Sequence, residues 1–191
     1  MNKTFRHISS AVLGIAVFLF WWLFYPYALS FQEQNQLFLF TWDYFSERIS
    51  LPGGLADYIA EFITQFSYIP YLGEALLAVV FVIFQKAIAL SIDRDEWYVL
   101  SFVAPVMMLV YMSDIYVMLS YLVALIAAVL LCALYRRHPG IIWAGIATVL
   151  GYWLIGPAIF VFTLFAVIRE RNSKSLILVA LSVTAVVASR L

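Results

Sequence analysis

Two acidic residues of the chain lie in segments suited to acid–base or metal chemistry. Glu33 lies in an amide-rich stretch, residues 31–36, directly after the first long apolar run, and Asp114 lies in a short turn between two later apolar runs. A carboxylate at such an apolar boundary can accept a proton from a substrate hydroxyl, or bind a divalent cation together with a second acid. We therefore predict Glu33 and Asp114 as candidate catalytic residues, which requires a fold that brings their segments together.

Both acids also have simpler interpretations. Glu33 can be the start of a solvated polar loop. A single aspartate in a turn, such as Asp114, commonly forms an Asx-turn or caps the next helix, which would begin at Ile115. These alternatives stay open at the level of the sequence.

Apolar helices must position these acids. Hydrophobic residues make up 65% of the 191 residues and charged residues 12%, whereas soluble domains average about half and about a quarter. This composition requires lipid as the solvent, and the abundance of Trp, Tyr and Phe is typical of membrane-interface belts. The sequence predicts an all-α, polytopic integral membrane bundle that forms one transmembrane domain, with the lipid bilayer as its partner.

Composition and motifs argue against several other classes. A net charge of zero leaves no basic surface for a nucleic acid. The single cysteine, Cys132, excludes an intrachain disulfide. The sequence has no glycine-rich phosphate loop and no G-x-S-x-G nucleophile turn, and neither histidine has zinc-ligand spacing. No cofactor can therefore be assigned from the sequence.

Hydropathy divides the chain into membrane segments and one long loop. The residues from 141 to 168 would form a straight helix of about 42 Å, longer than a bilayer core of about 30 Å. Gly156-Pro157 interrupts this run, because proline lacks an amide donor and disfavours helical geometry in its predecessor. We predict a hairpin there and a loop over residues 30–68. The predicted segments cover residues 8–29, 69–92, 97–113, 115–135, 141–155 with 157–168 as the hairpin, and 175–191.

The basic residues predict the orientation of these segments. With a cytoplasmic N-terminus and the hairpin, nearly all Lys and Arg residues fall on the cytoplasmic side, and only Arg48, with Arg190 undecided, lies outside. If the hairpin segment crossed only once, Arg169, Arg171 and Lys174 would move outside and the bias would weaken. We therefore predict a bacterial inner-membrane protein with a cytoplasmic N-terminus and an extracytoplasmic loop over residues 30–68.

That loop contains a predicted amphipathic helix. After a turn at residues 51–54, large apolar residues recur at helical spacing from Leu55 to Phe66. The polar face carries Asp57 and Glu61 instead of the basic residues of helices that bind anionic lipid. Packing against the bundle and lying on the lipid surface are both compatible with this pattern.

Parts of the chain resemble an uncharacterised family of bacterial multi-pass inner-membrane proteins. The resemblance lies in residues 31–40 (FQEQNQLFLF), 51–58 (LPGGLADY) and 152–157 (YWLIGP). It implies that the chain corresponds to the N-terminal portion of longer proteins with more membrane segments. It implies no established activity.

The first loop is also similar to that of membrane-embedded glycosyltransferases of the C superfamily, which use lipid-phosphate-linked sugars. In those enzymes acids follow the first helix, beside an amphipathic helix, and another acid lies in the second outer loop. The similarity implies that Glu33 deprotonates an acceptor, that Asp43 binds substrate, and that Asp114 orients the acceptor or a metal. A polyprenyl-phosphate lipid would then be a partner.

Three functions follow from these patterns. The first is a non-enzymatic membrane scaffold or assembly subunit, whose partners are other membrane subunits and whose acids point apart into solvent. The second is a fragment or relative of a lipid-linked sugar transferase, in which Glu33 and Asp114 converge beside a lipid-sized groove. The third is a transporter, in which Glu74 or Lys86 faces an aqueous cavity beside the Gly156-Pro157 break.

Overall fold

The computed structural model describes residues 3–25, 27–92 and 94–170, together with residues 178, 180, 181, 183, 184 and 187. Within this part of the chain every regular element is helical, which confirms the all-α fold class. The predicted last segment, residues 175–191, otherwise lies outside the described residues. The α-helices, numbered in chain order, are α1 (Lys3–Phe24), α2 (Ala28–Asn35), α3 (Trp42–Ile49), α4 (Gly54–Thr64), α5 (Leu72–Ser91), α6 (Val103–Tyr111), α7 (Leu119–Arg137), α8 (Ile141–Ile155) and α9 (Ile159–Glu170).

Four helical segments of the described chain are long and apolar enough to cross a membrane: Lys3–Phe24, Leu72–Ser91, Leu119–Arg137 and Ile141–Glu170. The fourth is folded back on itself. The hydroxyl oxygens of Thr148 and Thr163 are 3.3 Å apart, whereas residues 15 positions apart in one straight helix would be separated by roughly 22 Å. The reversal lies at the 3₁₀ turn Gly156–Ala158, so α8 and α9 form an antiparallel hairpin.

The first apolar run does not form the single helix that we predicted over residues 8–29. Helix α1 ends at Phe24, and Ala28–Asn35 forms the separate helix α2. Tyr25 precedes Pro26 in the sequence, and a residue before proline disfavours helical geometry. Glu33 therefore lies in a helix of its own and not in a loop.

The segment predicted over residues 97–113 is also different. It begins as a 3₁₀ helix, Asp95–Phe102, and becomes α-helical only in the nine residues of α6, Val103–Tyr111. Pro105 lies in the first turn of α6, where its missing amide costs no helical hydrogen bond. An α-helix that began at residue 97 would place Pro105 in its interior, where the ring clashes with the carbonyl four residues earlier. The next helix starts at Leu119, later than the predicted residue 115.

Helices α1, α5 and α7 form the centre of the bundle. Antiparallel contacts between α1 and α5 include Ser10 with Gln85 at one end and the rings of Trp22 and Tyr71 at the other. Trp21 and Phe81 are fully buried in this core. Helix α7 lies on the other side of α5, where the Ser91 hydroxyl donates to the Val129 carbonyl at 3.0 Å.

A buried polar network joins α1, α5 and the 3₁₀ helix at the end of the bundle that carries the N-terminus. The Ser10 hydroxyl donates to Gln85 Oε1 at 2.8 Å, and Gln85 Nε2 donates to the Ser101 hydroxyl at 2.7 Å. Tyr98 donates to the Arg6 carbonyl, and at the surface beside this network Arg6 pairs with the exposed Asp95 at 2.8 Å. These buried hydrogen bonds fix the position of the three helices relative to one another, because a shift of any one helix would leave a buried polar group unpaired and carrying its desolvation penalty.

Candidate functional site

The opposite end of the bundle is covered by residues 28–68, which we call the cap. The cap consists of α2, α3, α4 and a 3₁₀ turn, Gln65–Tyr68. It contains Glu33 and Asp43, and it lies against the turn that contains Asp114. The predicted site residues therefore all lie at the cap end of the bundle.

Helix α2 docks on the turn between α6 and α7. The buried Gln32 amide donates to the backbone carbonyls of Ile115 at 3.2 Å and Val117 at 2.9 Å. The rings of Phe31 and Tyr116 meet edge to face at 6.2 Å. The fold thus brings the segment of Glu33 beside the segment of Asp114, with Glu33 itself half-buried on α2.

Asp114 forms an Asx-turn. Its Oδ1 accepts a hydrogen bond from the Tyr116 amide at 3.0 Å, and its side chain is exposed. The expectation that Asp114 caps a helix beginning at Ile115 is wrong, because α7 begins at Leu119, after Met118 at its N-cap position. The carboxylate is engaged in shaping the turn, in agreement with the simpler sequence interpretation.

Asp43 is exposed in the first turn of α3, where the Thr41 side chain accepts from the Tyr44 amide as the N-cap. Its position favours the helix through the macrodipole, whose N-terminus is positive. Among the residues that the structure describes, no group of three or more His, Cys, Asp or Glu could hold a metal ion. The fold therefore brings two of the candidate segments together without assembling their carboxylates into a metal site.

A different acid, Glu61, is the buried one. Its carboxylate has a side-chain exposure of 10%, and Glu61 Oε1 pairs with Arg48 Nη2 at 2.7 Å. Tyr44 lies between the two residues: its hydroxyl is 2.6 Å from Glu61 Oε2 and accepts from Arg48 Nε at 3.1 Å. Burial, and then the hydrogen bond to Glu61, raise the pKa of Tyr44, so the phenol stays protonated and donates. This triad bonds α3 to α4.

A cluster of aromatic rings packs beside this triad through Tyr44. Phe38, from the extended segment before α3, contacts the rings of Tyr44, Tyr58 and Phe62 at centroid distances of 6.0, 5.0 and 5.5 Å. Phe45 contacts Tyr58 at 5.0 Å. Apolar surroundings strengthen the charge–charge attraction inside the triad, and they make loss of either charge more costly.

Helix α4 presents an unexpected face to the bundle. The prediction placed Asp57 and Glu61 on a polar face, but the structure buries Glu61 together with Ala56 and Ala60 and leaves Ile59 and Phe62 about 40% exposed. Small residues allow a close approach between helices, and Ala56 packs in one cluster with Ala124 and Ala128 of α7. The helix therefore packs on the bundle through its small residues.

The two glycine-containing breaks of the sequence meet at the cap end. The Gly53 amide donates to the Trp153 carbonyl at 2.8 Å, and the Trp153 indole donates to the Ile49 carbonyl at 2.9 Å. A Cβ built on Gly156 would be 3.4 Å from Gly53 Cα, and both glycines have positive φ, 90° for Gly53 and 63° for Gly156. The turn before α4 is thus seated on the tip of the hairpin.

A groove lies beside this junction, between α4, α6, α7 and the hairpin tip. Its volume is about 610 Å³, within the range typical of small-molecule sites. Its walls are mainly apolar, and the polar side chains that line it are Asp57, Tyr111, Ser120 and Tyr121. Sequence reasoning missed this site, although Asp57 and both glycine breaks were noted separately. Their proximity depends on the packing of the hairpin against the cap.

The residues that a transporter would need do not line the groove. Glu74 is half-buried at the start of α5, and Lys86 is exposed near the other end of that helix. Neither belongs to the groove beside Gly156. The specific arrangement that the transporter hypothesis required is therefore not present at that break.

Comparisons with known proteins give a family without an assigned role. A model described as "Family of unknown function (DUF6057)" matches residues 2–191. No curated protein and no solved structure matches the chain.

Proposed function

Because the chain belongs to this family of unknown function, we propose its role from the structure: a multi-pass membrane protein that acts as a membrane scaffold or assembly subunit. The observation that carries the proposal is the way the cap uses its buried polar groups. Gln32 bonds the cap to the turn before α7, and Arg48 and Glu61 bond two cap helices together. These groups hold the cap helices to each other and the cap to the bundle, as expected of a structural part.

The candidate acids support the same proposal. Asp43 and Asp114 are exposed, and the Asp114 carboxylate is occupied by a backbone amide of its own turn. A sugar transferase needs an acid within hydrogen-bond reach of its acceptor and a groove for the lipid beside it. The groove at the cap end is lined by Asp57, and not by Glu33, Asp43 or Asp114.

We further propose insertion in the bacterial inner membrane with the cap outside. Contacts between Arg6 and Asp95, and between Arg136 and the Ile92 carbonyl, place the ends of α1, α5 and α7 together at the end away from the cap. The positive-inside rule places this basic end in the cytoplasm. In the cap Arg48 is the single Lys or Arg. The described basic residues at or near the opposite end are Lys3, Arg6, Lys86, Arg94, Arg136, Arg137 and Arg169.

Cysteine labelling tests this orientation. In a Cys132→Ser background, we expect a membrane-impermeant maleimide to label Glu47→Cys in intact spheroplasts and to label His138→Cys only after permeabilisation. Glu47 and His138 are exposed at opposite ends of the protein, so access depends on the side of the membrane. The reverse pattern would invert the topology, and equal labelling of both sites in intact spheroplasts would contradict insertion.

The sugar transferase is the second candidate, because Gln32 does bring α2 beside the turn of Asp114. Native mass spectrometry in nanodiscs that contain a polyprenyl phosphate separates the two functions. For a scaffold we expect no saturable binding, or binding that Glu33→Gln and Asp114→Asn change by less than about twofold. Glu47→Gln is the matched control, since Glu47 is an exposed cap acid outside both hypotheses. Saturable binding weakened roughly tenfold by either variant, but not by Glu47→Gln, would establish the transferase hypothesis instead.

A further inference from the structure

The groove at the cap end combines an apolar wall with a small set of polar groups of two kinds. Met108, Met118 and Leu125 are among its apolar lining residues. Asp57 supplies a carboxylate, and Tyr111, Ser120 and Tyr121 supply hydroxyl groups that can donate hydrogen bonds. Sites of this composition bind an apolar body and orient it through its polar end.

The charges at the cap end indicate which kind of polar headgroup the groove can bind. The described acids there outnumber the single cation, Arg48, and Arg48 is engaged with Glu61. The Asp57 carboxylate is half-buried and makes no hydrogen bond to another described residue. Asp57 interacts electrostatically with Arg48 but forms no direct ion pair with it, so a cationic group that donates hydrogen bonds can pair directly with the Asp57 carboxylate.

Two other grooves of similar volume lack this chemistry. One, of about 540 Å³ along α8, is lined only by Ile, Val, Leu and Gly residues. The other, of about 530 Å³ between α1 and the 3₁₀ helix, has Ser9 and Tyr98 among otherwise apolar residues. Their chemistry suits any acyl chain and provides no basis for selecting a headgroup.

We propose that the groove beside the hairpin tip binds phosphatidylethanolamine, with the primary ammonium of the headgroup on the Asp57 carboxylate. The hydroxyls of Tyr111, Ser120 and Tyr121 donate to the lipid phosphate, and an acyl chain lies along the apolar wall. The assignment rests on the proposed membrane insertion but not on the scaffold role. Phosphatidylcholine is a weaker ligand, because its quaternary ammonium has no N–H to donate, and phosphatidylglycerol is repelled by the acidic surroundings.

The test measures which lipids stay bound when the full chain is released from nanodiscs with equal amounts of phosphatidylethanolamine, phosphatidylcholine and phosphatidylglycerol. Native mass spectrometry is expected to show one retained phosphatidylethanolamine per chain. In Asp57→Asn we expect its retention to fall roughly tenfold, to the level of phosphatidylcholine. The matched control is Asp43→Asn, which removes an acid from the first turn of a neighbouring helix, α3, and should keep the wild-type selectivity.

One control and one further variant separate lipid binding from an effect of Asp57 on the stability of α4. Because Asp57 lies in the first turn of α4, where acids stabilise the helix, the Asp57→Asn protein must keep the wild-type circular dichroism spectrum. Tyr121→Phe retains the ring and should lower phosphatidylethanolamine retention about threefold through loss of one hydrogen bond. Equal retention of the three lipids by the wild type would overturn the proposal, as would wild-type selectivity in Asp57→Asn. Failure here with the cysteine labelling as expected would leave the topology and scaffold proposals intact.

Discussion

Replacement of Arg48 by alanine is expected to destabilise the cap by about 2 kcal/mol and to open it to protease. The substitution leaves the Glu61 carboxylate, with 10% side-chain exposure, without its cation. Removing one partner of a fully buried ion pair typically costs about 3–5 kcal/mol. The Arg48 side chain is 34% exposed, so water compensates for part of the loss and the lower value is expected.

The measurement is the rate of chymotrypsin cleavage after Tyr44 and Phe45, which are half-buried in the native cap. When opening is fast relative to cleavage, this rate follows the open population, so a change of about 2 kcal/mol corresponds to roughly a 30-fold faster cut. Glu47→Ala, an exposed neighbour on the same helix, is the control and should leave the rate within about twofold.

A double variant separates the charge pair from simple packing. Arg48→Met combined with Glu61→Leu removes both charges and keeps apolar volume, so it should recover much of the lost stability. If Arg48→Ala were cleaved at the rate of Glu47→Ala, the ion pair would not hold the cap. If the double variant were cleaved as fast as Arg48→Ala, the stability of the cap would depend on the shape of these side chains and not on their charges.

Gly54→Ala is expected to separate α3 from α4, at a cost of about 2–3 kcal/mol. A Cβ on Gly54 would lie 1.7 Å from the Arg48 carbonyl oxygen and 2.5 Å from its carbonyl carbon. Both are backbone atoms, so no side-chain rotation can relieve the clash. Moving α3 away would also pull Arg48 from Glu61, and the two effects should reinforce each other.

Thermal unfolding in detergent and the same chymotrypsin assay check this prediction. Gly140→Ala is the matched control, because Gly140 has an extended φ of 178° and a Cβ there would come no closer than 4.0 Å to its nearest neighbour, Trp143 Cβ. Its effect should be within about 0.5 kcal/mol. Equal behaviour of the two alanine variants would contradict the close contact of the two cap helices.

The candidate site was predictable only in part. The position of Glu33 after an apolar run and of Asp114 in a turn indicated two segments at the same end of the bundle, and Gln32 does join these segments. Glu61, which is buried in the cap, was predicted to lie on the polar face of its helix together with Asp57. A carboxylate can be buried when a cation is available, and Arg48 lies 13 positions earlier in the sequence, beyond the reach of helical periodicity.

The helix boundaries show a similar division. Hydropathy located the apolar segments, because 18 or more apolar residues suffice to identify a membrane-length helix. It could not detect that Asp95–Phe102 is a 3₁₀ helix, since both helix types place apolar residues at similar intervals. Of the prolines in apolar runs, only Pro157 was used to predict a break, and that prediction of a hairpin holds. Pro26 and Pro105 lay inside the predicted segments 8–29 and 97–113, although proline removes a hydrogen-bond donor whatever the tertiary structure.

The sequence alone determined the all-α class of this protein, the apolar character of its long helices and the hairpin break at Gly156-Pro157, since these depend on composition and on local backbone chemistry. The tertiary structure decided which of the helix breaks are in contact with one another. Gly53 and Gly156 lie about a hundred positions apart, yet their backbones touch and create the groove that contains Asp57. Such contacts depend on how whole helices pack, and packing is decided by the combined fit of many side chains that no local pattern records.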